Sequence, residues 1–134
     1  MRYVQEAMVL PARRLTPMPN MPACMLGLMN RRSRVMWVID LSQMLGLPAL
    51  DANTQQYNLV LVQVGAIALG LAVQQVEGIT WINPDQIHPS IGQVLPSLAP
   101  YLRGCTVQQQ NQRQEMLLVL DAETIAQSPI LRNL

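Results

Sequence analysis

Few side chains in this sequence are equipped for chemistry, and they are not grouped for it. Histidine occurs once, in the run Pro84-Asp85-Gln86-Ile87-His88-Pro89. One histidine cannot build a His-cluster metal site. In a proline-flanked loop it reads as a solvated or hydrogen-bonded imidazole, not as a general base. The acids Glu6, Asp40, Asp51, Glu77, Asp85, Glu115, Asp121 and Glu123 are scattered. Asp40 and Asp121 stand just ahead of short helix patterns, where a carboxylate caps free N–H groups. No serine or cysteine lies in a nucleophile elbow, and no glycine run resembles a phosphate-binding loop. These features predict a protein that is not an enzyme, with no catalytic residue, no metal and no cofactor.

Cys24 and Cys105 sit among apolar neighbours. With no signal-peptide pattern, they read as buried reduced thiols of a cytoplasmic protein, a disulfide being the other option. The densest charge cluster is Arg31, Arg32 and Arg34. Taken alone it reads as a solvated turn. A nucleic-acid surface would need a wider basic field with interleaved aromatics. This chain has a net charge of +1, two Trp, three Tyr and no Phe. No nucleic-acid partner is expected.

Half of the 134 residues are apolar, enough for one compact unit with a real core. That core must rest on Leu, Val, Ile and nine Met, and methionine fills irregular gaps well. The apolar run Leu59–Val73 is too short to span a membrane as a helix. It is rich in β-branched residues around Gly65, so it predicts a hairpin over Asn58–Val73 with strands buried on both faces. No direct membrane insertion is expected.

The remaining elements follow from breakers and caps. Val4–Ala7 predicts a helical turn leading into a short strand, and Pro11 ends that piece. Arg13–Met18 is predicted extended, by the residues that precede its prolines. Asn20 as cap and Pro22 in a first turn predict a helix to about Asn30. Arg34–Ile39 reads as a strand. Asp40 then caps a helix over Leu41–Leu45, which Gly46 stops. Pro48–Gln56 is a polar loop. Val76–Ile82, Leu102–Gln108 and Gln114–Leu120 read as strands, with a long connection over 86–100. Asp121 caps a helical turn over Ala122–Ala126, and residues 128–134 are read as a tail. About eight strands and three short helices predict a mainly β, barrel-type architecture.

The run from Thr16 to Leu47 resembles the core signature of the CheW-like family, adaptors that couple chemoreceptors to a histidine kinase. The family pattern is roughly P-x-P-N-x-P-x-x-x-x-G-x-x-N-L-R-G-x-x-x-x-V-I-D-L. Pro17, Pro19, Asn20, Pro22, Gly27, Asn30, Arg32, Val38, Ile39, Asp40 and Leu41 stand in register with it. Gly65, Gly70, the run Pro84–Pro89, Tyr101-Leu102-Arg103-Gly104 and Leu117–Asp121 are similar to later family segments, so the likeness covers about Val4 to Ala126. There are departures. Two further strands that normally precede Val4 are missing. Ser33 stands where the turn has glycine, Arg31 replaces an apolar residue, Trp37 a common proline, and Gln74 an acid. If the turn glycine has positive φ, serine strains it by about 1 kcal/mol.

The resemblance implies one CheW-like domain over residues 1–134, built from two small SH3-like five-stranded β-barrels with short helices, one barrel incomplete. It implies a non-catalytic adaptor, cytoplasmic and recruited to membrane-bound receptor arrays, for chemotaxis, phototaxis or pilus motility. The implied partners are the regulatory domain of a CheA-type histidine kinase and the helical tip of a chemoreceptor. The implied contact residues are Glu6, Asn30, Arg31, Arg32 and Arg34, with Arg32 ion-paired to Glu6. Asn30 would satisfy backbone groups of the turn, and Arg13 and Arg14 are weaker contact candidates. An incomplete barrel leaves an open sheet edge. Either the true start lies upstream of Met1, or a partner or second copy covers the edge as a homo-oligomer. The alternative function is a structural, array-filling or self-associating subunit without kinase coupling.

Overall fold

A computed structural model describes residues 3–89, 96–110 and 112–131. Its seven strands are β1 (Val4–Pro11), β2 (Met25–Arg31), β3 (Arg34–Asp40), β4 (Gln56–Val64), β5 (Ile67–Val73), β6 (Leu102–Gln110) and β7 (Arg113–Leu120). The two α-helical pieces are single turns, α1 (Leu41–Met44) and α2 (Ala122–Ala126). Five strands form one sheet in the order β1-β4-β5-β3-β2, and β6 and β7 form a second. All pairings are antiparallel except β3 with β5. The protein is mainly β, as the sequence predicts.

The β4–β5 hairpin turns at Gly65, whose φ of +59° suits glycine. Its strands lie inside the five-stranded sheet, and both faces of that sheet are covered. On one side pack Ile39, Met44, Leu45, Val62, Leu69, Leu71, Tyr101 and Ile125. On the other pack Leu10, Met29, Met36, Val38, Leu59, Leu61 and Ala72. This double burial is why the hairpin reads as a nearly unbroken apolar run.

The sheet curls until its edges meet. Just beyond β1, Thr16 exchanges two 2.9 Å backbone hydrogen bonds with Leu28 of β2. Gly27 permits this closure: a Cβ there would lie 2.7 Å from the Thr16 carbonyl oxygen, and its φ is +151°.

Asp40 and Asp121 cap α1 and α2, as their positions predict. Four expectations are corrected. Residues 25–31 form β2, not a helix, because seven-residue antiparallel pairing with β3 outweighs the local Asn20/Pro22 signal. Asn20 instead takes a left-handed φ of +58°. Val4–Ala7 is strand, held by β4, and the helical turn falls at Ala12–Arg14 as a 3₁₀ turn, which places Arg13 and Arg14 there and not on a strand. Val76–Ile82 is irregular and pairs with no described strand. Residues 128–131 are not tail: Ser128 is buried and meets the Tyr101 hydroxyl at 2.6 Å, and Leu131 joins the core. Of the connection read over 86–100, residues 90–95 lie outside the described residues, as do 132–134 of the tail.

Candidate protein-interaction site

The two residues between β2 and β3 are Arg32 and Ser33, with φ of +50° and +65°. Two successive left-handed residues make the turn that suits the twist of a tight hairpin. Neither is glycine, so the turn carries the strain its sequence suggests. Ser33→Gly is expected to raise stability by about 0.5–1 kcal/mol, read as a higher urea midpoint with an unchanged slope.

Strand alternation decides which arginine points where. On β2, Met29 is buried and Asn30 exposed, so Arg31 returns to the inner face. On β1 the inner face carries Leu10, Met8 and Glu6, with increasing exposure towards the strand's start. Glu6 and Arg31 therefore meet at the mouth of the curl, across the seam between the sheet's two edge strands. Arg31 Nε donates to Glu6 Oε1 at 3.0 Å, and Nη2 donates to Oε2 at 2.8 Å. This is the planar two-bond fork that guanidinium makes with carboxylate. Both side chains are 31% exposed.

The ion pair expected for Arg32 thus belongs to Arg31. Arg32 is one residue too far along, in the turn and off the inner face. It adds only longer-range attraction to Glu6. Asn30 is exposed, and none of the described hydrogen bonds involves its side chain, so its expected turn-bracing role is corrected too. Arg34, across the turn, donates from Nη1 to Gln63 Oε1 at 3.3 Å. Glu6, Arg31, Arg32 and Arg34 together line one small hollow at the seam, while Asn30 does not.

The Arg31 hydrogen bonds hold the Glu6 carboxyl below the usual carboxylate range. A lowered native pKa stabilises the fold above the unfolded value of about 4.3 and loses that contribution as pH falls through the native value. The seam is therefore expected to hold through neutral pH and to open in acid. A carbon-detected NMR titration of Glu6 should show its midpoint rise when Arg31 is replaced by leucine.

Arg34 and Ala68 also line a second concavity, a groove of about 320 Å³. Its walls include Val35, Trp37, Ile67, Leu69, Ala126 and Leu131. It lies between the β3 and β5 side of the sheet and the C-terminal helical turns. The result is a groove of mixed polar and apolar surface, with Arg34 at one end. Sequence reading missed Ala126 and Leu131, because a terminal Pro-Ile-Leu run looks like a tail until the core it joins is known. Trp37, in place of proline in an apolar strand, was the available signal.

Little else is poised for reaction. Cys24 and Cys105 are free and buried, and burial pushes the Cys24 thiol up, away from the reactive thiolate. His88 acts through its backbone: its N–H donates to the Cys105 carbonyl at 2.7 Å and its carbonyl accepts from the Cys105 N–H at 2.9 Å. Among the described residues, no group of three His, Cys, Asp or Glu could hold a metal ion. No described helix is long and apolar enough to cross a membrane.

The chain is a mainly β fold with a curled five-stranded sheet, a second small sheet and a groove that Arg34 lines. Residues 1–129 match the family model of the CheW-like domain, and the chain belongs to that family. It is 35% identical over 75 residues to the chemotaxis protein CheW of Rhizobium meliloti (strain 1021), covering 56% of this chain and 48% of that protein. It is 36% identical over 75 residues to the probable chemotaxis protein CheW of Rhizobium etli, with the same coverage. The chain thus spans about half the length of the curated relatives it matches. The crystal structure of scaffolding protein TtCheW from Thermoanaerobacter tengcongensis superposes with a TM-score of 0.73 at 20% identity, covering 92% of this chain and 79% of that one. The family is that of chemotaxis scaffolds and adaptors.

Proposed function

We propose that this chain is a non-catalytic adaptor, one CheW-like unit over residues 1–134, that couples a chemoreceptor to a CheA-type histidine kinase. One observation carries the reading: the Glu6–Arg31 fork occupies the seam and leaves Arg32 outside the ion pair, in the small hollow that Arg34 shares with the neighbouring groove. A helical receptor tip would lie along the groove beside that hollow and meet Arg34 between the two and Arg32 in the hollow. Asn30, outward on β2, extends the same surface. The kinase's regulatory domain would take a separate face. The adaptor would act in the cytoplasm at receptor arrays, by holding both partners so that receptor conformation biases the kinase. Apolar contact with a polar rim is the usual anatomy of such interfaces.

The test is calorimetric titration of this chain with the kinase regulatory domain and with a receptor-tip fragment from the same cell. Binding on the order of micromolar or tighter to both, with Arg32→Ala weakening the receptor arm, is expected. Folded protein that binds neither would overturn the reading. The two-stranded β6–β7 sheet favours a second one, an array-filling subunit that binds its own kind without kinase coupling.

A further inference from the structure

The β6–β7 layer is short of neighbours. β7 has β6 on one side, and among the described residues its other edge pairs with nothing. Two strands alone are marginal in water. Yet Met116-Leu117-Leu118-Val119-Leu120 is apolar on both faces, the pattern of a strand whose two faces are both covered. Met116 and Leu118 are 65% and 43% exposed, and Val107, opposite Met116 on β6, is 56% exposed. Beside them runs the irregular segment 74–83, tied to the hairpin by Gln108 Nε2 donating to Thr80 Oγ1 at 2.6 Å. On it, Ile79 and Trp81 are 97% and 90% exposed.

Edge strands are ordinarily protected from pairing by proline, bulges or several charges. β7 has no proline and no lysine, and its only charges are Arg113 and Glu115. The irregular register of this sheet lies at its other end, between Leu102 and Gly104. What such an edge accepts is another strand, because only a strand supplies N–H and C=O groups at matching intervals.

We propose that β7 is a self-association edge: two copies of this chain join through it, antiparallel about a twofold axis, as a continuous β6-β7-β7-β6 sheet. The strand is complementary to its own reverse. With Leu117 on the axis, Met116 faces Leu118 of the second copy, and Leu118 faces its Met116. Glu115 faces Val119, so no like charges oppose each other. The exposed apolar residues of one face, Val107, Met116 and Leu118, become a band running across both copies. The contact is isologous and closes as a dimer. It uses none of the residues of the Glu6–Arg31 rim, so it stands or falls separately from the receptor and kinase reading.

The full chain is tested by light scattering after gel filtration over a range of concentrations, with hydrogen exchange on the same samples. The wild-type mass should double as concentration rises, with slowed exchange at amides 113–119. M116K/L118K, which places four like charges at the new seam, should stay at single-chain mass with an unchanged far-ultraviolet spectrum. A wild type that stays single overturns the proposal. So does a variant that still dimerises, or protection of 113–119 in the dilute single chain, which would mean the edge is covered within one copy. Protection that appears only when the kinase regulatory domain is added would assign the edge to that partner instead.

Discussion

Replacing Asp40 by alanine is expected to cost about 3 kcal/mol of stability and to lower the melting temperature by roughly 10 °C. Asp40 is 1% exposed and ends β3. Its Oδ1 accepts from the Gln43 N–H at 3.2 Å, and its Oδ2 accepts from the Leu50 N–H at 2.8 Å. The first bond caps α1, and losing a cap costs about 1 kcal/mol. The second ties the loop after α1 back to the sheet. Alanine leaves both donors without their acceptor in a part-buried place, and each stranded group costs about 1–3 kcal/mol. Asp40→Asn keeps one accepting oxygen, so about half the loss is expected. Thermal melts of the three proteins check this. An alanine variant melting within about 2 °C of wild type would show that water replaces the carboxylate freely. The consequence reaches the groove, because Trp37, on its wall, belongs to the strand that Asp40 anchors.

Features that depend on a few consecutive residues were legible in the sequence. Asp40 and Asp121 cap their helical turns because a carboxylate just ahead of a turn finds its N–H groups within two or three residues. The hairpin at Gly65 was legible for the same reason. Features that depend on a distant partner were not. Residues 21–30 carry a credible helix start, yet 25–31 is β2, because β3 offers a complete ladder of hydrogen bonds and Gly27 lets Thr16 approach from the other side. Val76–Ile82 shows the converse: strand-forming residues that form no backbone ladder with a described strand remain irregular. Propensity says what a segment tolerates, and its neighbours decide what it becomes.

The site divides along the same line. The family signature placed the right segment at the surface and the right acid opposite it, and Glu6 does sit across the seam from the β2–β3 hairpin. The identity of its partner was decided by the pleat. A residue can reach the inner face only at even spacing from Met29, which selects Arg31 and excludes Arg32. Replacing an apolar residue by arginine at 31 was visible in the sequence as a departure. That it would capture Glu6 follows from alternation once 25–31 is known to be strand, and a helical reading of the segment concealed it.

That capture sets up the second large effect, on partner affinity. Arg31→Leu is expected to weaken receptor-tip binding about tenfold, a change of ~1.4 kcal/mol, although Arg31 itself is turned inward. Without Arg31, the Glu6 carboxylate is unpaired at the seam, and the nearest cation already attracted to it is Arg32. From its place in the turn, Arg32 would swing across the hollow that it and Glu6 both line, towards the carboxylate and away from the partner-facing surface. Arg32→Ala should cause a similar loss directly. The two causes separate in a double variant: Arg31→Leu with Glu6→Gln removes the charge that draws Arg32 away, so binding should return towards wild type, whereas Arg32→Ala with Glu6→Gln should remain weak. Such a crossed result is coupling between neighbours and not a sum of independent losses. If Arg31→Leu/Glu6→Gln binds no better than Arg31→Leu, the fork matters as a brace for the seam and not as a guard that keeps Arg32 free. Melting curves of each variant, measured alongside, distinguish that outcome from simple unfolding.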